Sequence, residues 1–188
     1  MKTLIFNGSP RKNGNTAAMV QELCRHLQGE YKIVNAYSCK VSPCIDCRYC
    51  WKHPNCCIHD EWDQIDQYIR ECDNVVLASP IYFSSLTGPL LAVLSRVQLY
   101  FSSRIFRKEK LLTEPKRGGL ILTGGGKKTS AFPMGPANII LKEMNVTEIF
   151  EPVMSLSTDS CPASEDTEAL KQLADLADFL NQDELSNK

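Results

Sequence analysis

The chain has 188 residues, 43% of them hydrophobic and 23% charged, with a formal net charge of −1 at pH 7. That length bounds it to a single domain over 1–188 with a sizeable core, and the near-neutral balance excludes a global field for nucleic acid or an anionic membrane. No apolar run approaches the ~20 residues of a membrane span, and the N-terminal apolar stretch is too short for a secretory signal, so the expectation is a cytoplasmic protein with no membrane and no nucleic-acid partner.

The first element is the apolar run Leu4-Ile5-Phe6, read as a buried strand. It stops at Asn7-Gly8-Ser9-Pro10-Arg11-Lys12-Asn13-Gly14-Asn15-Thr16. A helix opens near Thr16 and carries the stripe Ala17, Val20, Leu23, Cys24 and Leu27. A polar turn between a strand and a helix N-terminus aims several backbone N–H groups at one spot, which suits a phosphate. Gly8 and Gly14 are expected to take positive φ there and let the backbone approach an anion. Ser9, Asn15 and Thr16 add donors, and Arg11 and Lys12 add positive charge. The spacing matches neither G-x-x-x-x-G-K-[ST] nor G-x-G-x-x-G. A cradle for one phosphate, as a mononucleotide cofactor needs, is what remains.

Tyr31 to Ala36 reads as a second strand, and 38–59 as a loop insertion rich in Cys, Pro and His. A helix follows over Asp60 to Cys72, with Asp60, Glu61 and Asp63 in its first turn, the favourable end for acidic groups. Asn74 to Ser79 is a strand buried on both faces. Pro80 to Thr87 is a loop, and Gly88 to Tyr100 a strongly apolar helix. Arg104 to Lys116 reads as a basic linker, and Gly118 to Thr123 as a strand ending in Gly124-Gly125-Gly126. Pro136 to Met144 is a helix, Thr147 to Leu156 a fifth strand, and Glu165 to Leu180 a last amphipathic helix before a frayed tail from Gln182.

Alternating strands and helices imply a parallel sheet with helices on both faces. In the order 2-1-3-4-5 the loops after strands one, three and four meet at one pocket at the carboxyl edge of the sheet. Ile81, Tyr82 and Phe83 would serve a flat aromatic ligand there, with Pro80 stiffening the turn and Thr123, Gly124 and Gly125 passing close to the same ring. The alternative is that Tyr82 and Phe83 pack under the following helix. A phosphate at one end and a planar ring at the other describe flavin mononucleotide, FMN.

Nine cysteines stand out in a chain of this kind, and five of them, Cys44, Cys47, Cys50, Cys56 and Cys57, fall within fourteen residues. Such clustering without a secretory signal reads as metal or redox chemistry. Cys44, Cys47, Cys50 and Cys56 follow C-x2-C-x2-C-x5-C, a spacing compatible with a [4Fe–4S] cluster, with Cys57 a second choice for the fourth ligand. Zinc could instead take three of these thiolates with His53, His59 or Cys56, and metal-free thiols are the third reading. Cys24, Cys72 and Cys161 read as small hydrophobes, and Cys39 is open.

The segments Gly8 to Thr16 and Ser79-Pro80-Ile81-Tyr82-Phe83, the latter followed by Gly88 and Arg96, resemble the NADPH-dependent FMN reductase branch of the flavodoxin-like superfamily. The cysteine loop resembles that of the iron–sulfur flavoproteins in the same branch. The resemblance implies a flavodoxin-like three-layer sandwich with a five-stranded parallel sheet. It places the FMN phosphate on Ser9, Arg11, Lys12, Asn13, Gly14, Asn15 and Thr16, the ring against Pro80, Ile81, Tyr82 and Phe83, and the far edge on Thr123 to Gly125. It points to an oxidoreductase that takes electrons from NAD(P)H or a reduced carrier and delivers them to a small-molecule acceptor such as a flavin or quinone. A non-enzymatic electron carrier and a zinc-stabilised binding protein on the same scaffold are the alternatives. The apolar residues at 90–101 exceed what one core usually covers, so a homodimer or homotetramer is expected. No general acid or base is identified.

Overall fold

Strand β1 (Lys2–Asn7) is buried from Thr3 onward and lies at the centre of a parallel sheet. It is flanked by β2 (Glu30–Asn35) and β3 (Asn74–Pro80), with β4 (Lys116–Gly124) beyond β3. The computed structural model describes residues 1–127 and 133–182. The expected order 2-1-3-4-5 holds, but the last strand is split. Among the described residues, β5 (Val146–Ile149) pairs with the start of β4 and β6 (Val153–Leu156) with its end, so the sheet has six strands. Pro152 lies between the two and has no N–H to give to a ladder. Phe150 N–H still reaches Gly118 O at 2.9 Å.

Side-chain alternation sorts the core onto the two faces. Leu4 and Phe6 join one cluster with Trp62, Ile65 and Ile69 of α2 (Trp62–Glu71), Leu90 and Leu94 of α3 (Gly88–Leu94), and Leu141 of α5 (Met134–Glu143). Ile5 joins the other with Met19 and Leu23 of α1 (Asn15–His26) and Leu173 and Leu176 of α6 (Thr167–Leu180). The result is a three-layer, flavodoxin-like sandwich. Gly119 is required by this packing, since a Cβ there would lie 2.7 Å from Leu176 Cδ1.

Two expectations need correction. The helix expected over Gly88 to Tyr100 is α3, a 3-10 turn at Ser95–Val97, α4 (Gln98–Ser102) and a π-helical turn at Ser103–Arg107. Leu90, Val93, Leu94, Val97, Leu99 and Tyr100 are buried within this one chain, while Leu91 and Phe101 of the same run stay half-buried. The basic linker expected at 104–116 holds over residues 108–115, which form no helix or strand, but not at its two ends. Its first four residues are helical, and Lys116 and Arg117 open β4 as buried residues. Lys116 Nζ donates to Cys72 O, and Arg117 pairs with Glu148 at 3.2 Å, so the charges are satisfied inside the fold. The tail from residue 183 lies outside the described residues.

Candidate functional site

The loop after β1 is tied to the sheet edge at its start. Gly8 N–H donates to Ala78 O at 2.7 Å, and Thr87 Oγ1 donates to Gly8 O at 2.8 Å. Neither Gly8 nor Gly14 takes positive φ, contrary to expectation; Gly14 sits at φ −92° as the N-cap of α1. Gly8 is needed for a different reason: a Cβ would meet Leu90 Cδ2 and Thr87 Oγ1 at 2.8 Å each. Among the described residues no side chain caps α1, so its first N–H groups keep their donor capacity at the positive end of the helix.

The predicted phosphate residues divide into two groups. Thr16 is buried, and its hydroxyl pairs with that of Thr123 at 2.7 Å. Asn15 Oδ1 accepts from Ala163 N–H at 3.0 Å, which leaves its amide NH2 available. Ser9 Oγ accepts from Arg11 N–H at 3.2 Å and shapes the turn. Ser9, Arg11 and Lys12 line a cleft of about 400 Å3 toward β2, together with Asn35 and Tyr37. None of the ring-loop residues lines that cleft. Asn13 is exposed.

The other two loops meet as expected. Pro80 is in register with Thr123 at the end of β3 and β4, and Ile81 N–H donates to Thr123 O at 2.8 Å. Tyr82 and Ser85 exchange backbone hydrogen bonds of 3.0 and 2.9 Å around a tight turn. Phe83 and Ser84 take φ of +48° and +59° in it. Phe83 is fully exposed and Tyr82 is 45% exposed, so the reading that both pack under the next helix is overturned. Holding a Phe in the left-handed region costs about 1–2 kcal/mol, and the exposed ring stands at the edge where a planar ligand is expected. Gly124 and Gly125 run beside the loop after β6. Thr158 N–H donates to Gly124 O, Ser157 N–H to Gly126 O, and a Cβ on Gly125 would fall 2.2 Å from Asp159 Oδ2. Residues 128–130 of the expected third loop lie outside the described residues.

Sequence reasoning missed Thr87 and Asp159. The loop after the last strand was detectable in principle, because ligands in such sheets gather at the carboxyl ends of the strands.

The cysteine loop is held by two buried arginines. Arg96 lies at the end of the α3 segment and its side chain is 1% exposed. It donates to Ser42 O at 2.9 Å and Ile58 O at 2.8 Å, one on each side of the five cysteines, and pairs with Asp60 at 3.1 Å. Arg107, from the π-helical turn, donates to Cys50 O and to His53 O. Burial pushes the Asp60 carboxyl up. Backbone donors from Ser42 and Trp62 and the Arg96 charge outweigh this and hold it below its ordinary value. The acidic residues expected in the first turn of α2 therefore act mainly on the cysteine loop and the helix start. Asp60 accepts from Ser42 and Trp62, and Glu61 accepts from Lys40 N–H at 2.8 Å.

Cys44, Cys47, Cys50 and Cys56 all line one small cavity of about 20 Å3, with Arg96 and Leu99 in its wall. Room for about one water is all it offers. Among the described residues no three Cys, His, Asp or Glu side chains are drawn close enough to hold an ion. As a donor set the four sulfurs fit a cluster; their present spacing has not converged on one. Among the described residues, Arg96 Nε and Arg107 Nη2 are buried without a hydrogen-bond partner, a cationic surrounding that suits an anionic centre. Neither His53 nor His59 lines the cavity; His53 stacks on Tyr49 and His59 pairs with Asp63 at 3.1 Å.

Cys57 lies outside the cavity, with its sulfur 3.2 Å from that of Cys47. The Tyr49 N–H and then the Cys57 thiol pull the Cys47 thiol down, and the same contact pushes Cys57 up to about 11. Burial pushes Cys24 and Cys72 up to about 11, as inert core thiols. Cys161 is exposed and is not the small core hydrophobe expected.

The model of the NADPH-dependent FMN reductases matches residues 1–161. The chain belongs to the NADPH-dependent FMN reductase family. That is a family of oxidoreductases with FMN as cofactor. Similar proteins include an iron–sulfur flavoprotein of Methanocaldococcus jannaschii, 31% identical over 137 residues, covering 69% of this chain and 67% of that protein. An iron–sulfur flavoprotein of Archaeoglobus fulgidus is 27% identical over 152 residues, covering 79% and 66%. The chain thus spans about two thirds of the length of these relatives. A likeness of fold extends to an NAD(P)H:quinone oxidoreductase of Methanothermobacter marburgensis, with a TM-score of 0.76, 10% identity and coverage of 98% and 99%.

Proposed function

We propose that the chain binds FMN across the carboxyl edge of the sheet and passes electrons from NAD(P)H to a small acceptor such as a quinone. The observation that carries this reading is the junction of three loops: Thr16 to Thr123, Ile81 to Thr123, and Thr87 to Gly8. It joins an uncapped helix N-terminus to an exposed aromatic turn. The free N–H groups of α1 would hold the phosphate, with the Asn15 amide and the loop cations supporting it. Ile81, Tyr82 and Phe83 would flank the ring, and backbone groups at 124–125 would meet its edge. Bound FMN supplies hydride acceptance and one- or two-electron delivery. The chain's own part is to orient the ring and leave one face open to donor and acceptor in turn.

The second cofactor in this reading is a [4Fe–4S] cluster on Cys44, Cys47, Cys50 and Cys56. The shared cavity, the two arginines around it and the names of the relatives support it. The chain is proposed to act as a homodimer or homotetramer in the cytoplasm. An apolar groove between α3, α4 and α5, lined by Leu91, Val97, Phe101, Ile139 and Ile140, offers a surface for a second copy.

The test is FMN titration of purified protein followed by NADPH and NADH oxidation with a quinone. Saturable FMN binding, with pyridine-nucleotide oxidation that requires the flavin, is expected. Removing the loop charges in Arg11→Gln with Lys12→Gln should weaken FMN by on the order of tenfold, and less at high salt. Flavin binding without NAD(P)H oxidation would favour the electron carrier; no flavin binding would overturn the reading.

A further inference from the structure

Cys47 faces two ways. It lines the small inner cavity with the other three predicted ligands, and it also lines an outer groove of about 600 Å3 with Cys57, Arg48, Tyr49, Trp51 and Lys52. Cys57 belongs to the outer groove alone. Both thiols are exposed, and their sulfurs are 3.2 Å apart. Asp46 and Arg48, on either side of Cys47, adopt left-handed φ of +50° and +61°. Arg107 anchors the chain between the two cysteines through Cys50 O and His53 O, so the pair is held in place by the fold. A disulfide bond is about 2.05 Å long, so closure needs a movement of roughly 1 Å on the surface of a loop. The rest of the groove is cationic and aromatic, with Arg48 over the Trp51 ring at 4.9 Å. Small anionic compounds would be favoured there.

We propose that Cys47 and Cys57 form a reversible dithiol–disulfide site, oxidised by small anionic disulfides bound in the outer groove when no cluster is present. One protein thiolate attacks the small disulfide, whose S–S bond breaks and releases one small thiol. The other protein thiolate attacks the resulting mixed disulfide at the protein sulfur and releases the second thiol. Two protein thiols lose two electrons and two protons, and the small disulfide gains both. The consequence rests on the proposed cluster: the oxidised pair removes Cys47 from the four-cysteine set, so loading is blocked until the bond is reduced.

The experiment uses the full chain, reduced and freed of iron, then exposed without air to glutathione disulfide. Free thiols are trapped by alkylation and mapped by mass spectrometry. The expected result is loss of two hydrogens with a Cys47–Cys57 cross-link, while Cys44, Cys50 and Cys56 are alkylated. Cys57→Ser should stop at a glutathione adduct on Cys47. With Arg48→Gln and Lys52→Gln together, the reaction should slow on the order of tenfold with glutathione disulfide but not with neutral hydroxyethyl disulfide. Adducts spread evenly over the five cysteines, or a cross-link between another pair, would overturn the proposal. Iron and sulfide are then offered to each form. Reduced wild type and reduced Cys57→Ser should both take up iron, and oxidised wild type should not. Loss of uptake in Cys57→Ser would make Cys57 a ligand and overturn the proposal. If reduced wild type takes up no iron, the cluster reading fails, and the cross-link map alone decides the dithiol.

Discussion

Arg96→Ala tests whether the cysteine loop owes its shape to the fold or to a bound group. The substitution removes donors to Ser42 O and Ile58 O and the partner of Asp60, all from a side chain 1% exposed. Removing one partner of a buried ion pair costs about 3–5 kcal/mol. Total stability of a domain is about 5–15 kcal/mol, and each kcal/mol shifts Tm by about 2–4 °C at this size. A fall of roughly 6–20 °C in Tm is therefore the ceiling, reached if the loop stays in place with its acceptors dry. If the loop lifts off, water satisfies Ser42 O and Ile58 O and the global loss is smaller. The local signal is then larger: amides over 42–58 lose hydrogen-exchange protection, and Cys44, Cys50 and Cys56 alkylate faster, while β1 and β3 stay protected. Arg96→Lys should fall between wild type and Ala, since one ammonium can meet Asp60 but lacks the planar fork that spans both carbonyls. Wild-type Tm together with wild-type protection over 42–58 in Arg96→Ala would refute the argument.

The same anchor predicts a pH response. The folded Asp60 carboxyl lies below its ordinary value of 3.8, so its contribution is complete above that value and is lost as pH falls below it. Hydrogen exchange over 42–58 should therefore rise in acid below about 3.8 in wild type, and Asp60→Asn should show raised exchange already at neutral pH with little further acid dependence. Gly8→Ala places a Cβ 2.8 Å from Thr87 Oγ1 and Leu90 Cδ2. It should cost about 1–3 kcal/mol by thermal or denaturant unfolding and weaken FMN in a fluorescence titration. Thr123→Val leaves the buried Thr16 hydroxyl without its partner. A loss of about 1–3 kcal/mol in urea unfolding is expected, with Thr123→Ser close to wild type.

The parallel order of the sheet and the meeting of three loops at its carboxyl edge were legible in the sequence. Strand and helix periods differ, and a right-handed parallel crossover leaves few arrangements. The last strand was legible as one element but not its break, because pairing with β4 resumes on both sides of Pro152. The role of Gly8 was misread, since close approach by Thr87 and Leu90 comes from a helix some eighty positions away. Phe83 illustrates the reverse: its apolar side chain favoured burial, and a tight left-handed turn holds it in solvent.

By itself the sequence determined the layer order, the polar turn after the first strand and the C-x2-C-x2-C-x5-C spacing, because these are properties of neighbours along the chain. Only the tertiary structure decided which cysteines share a cavity, which lies outside it, and what holds their loop. Ser42, Ile58, Asp60 and Arg96 are distant in sequence, and a buried guanidinium needs several acceptors at once, so the fold had to bring them together.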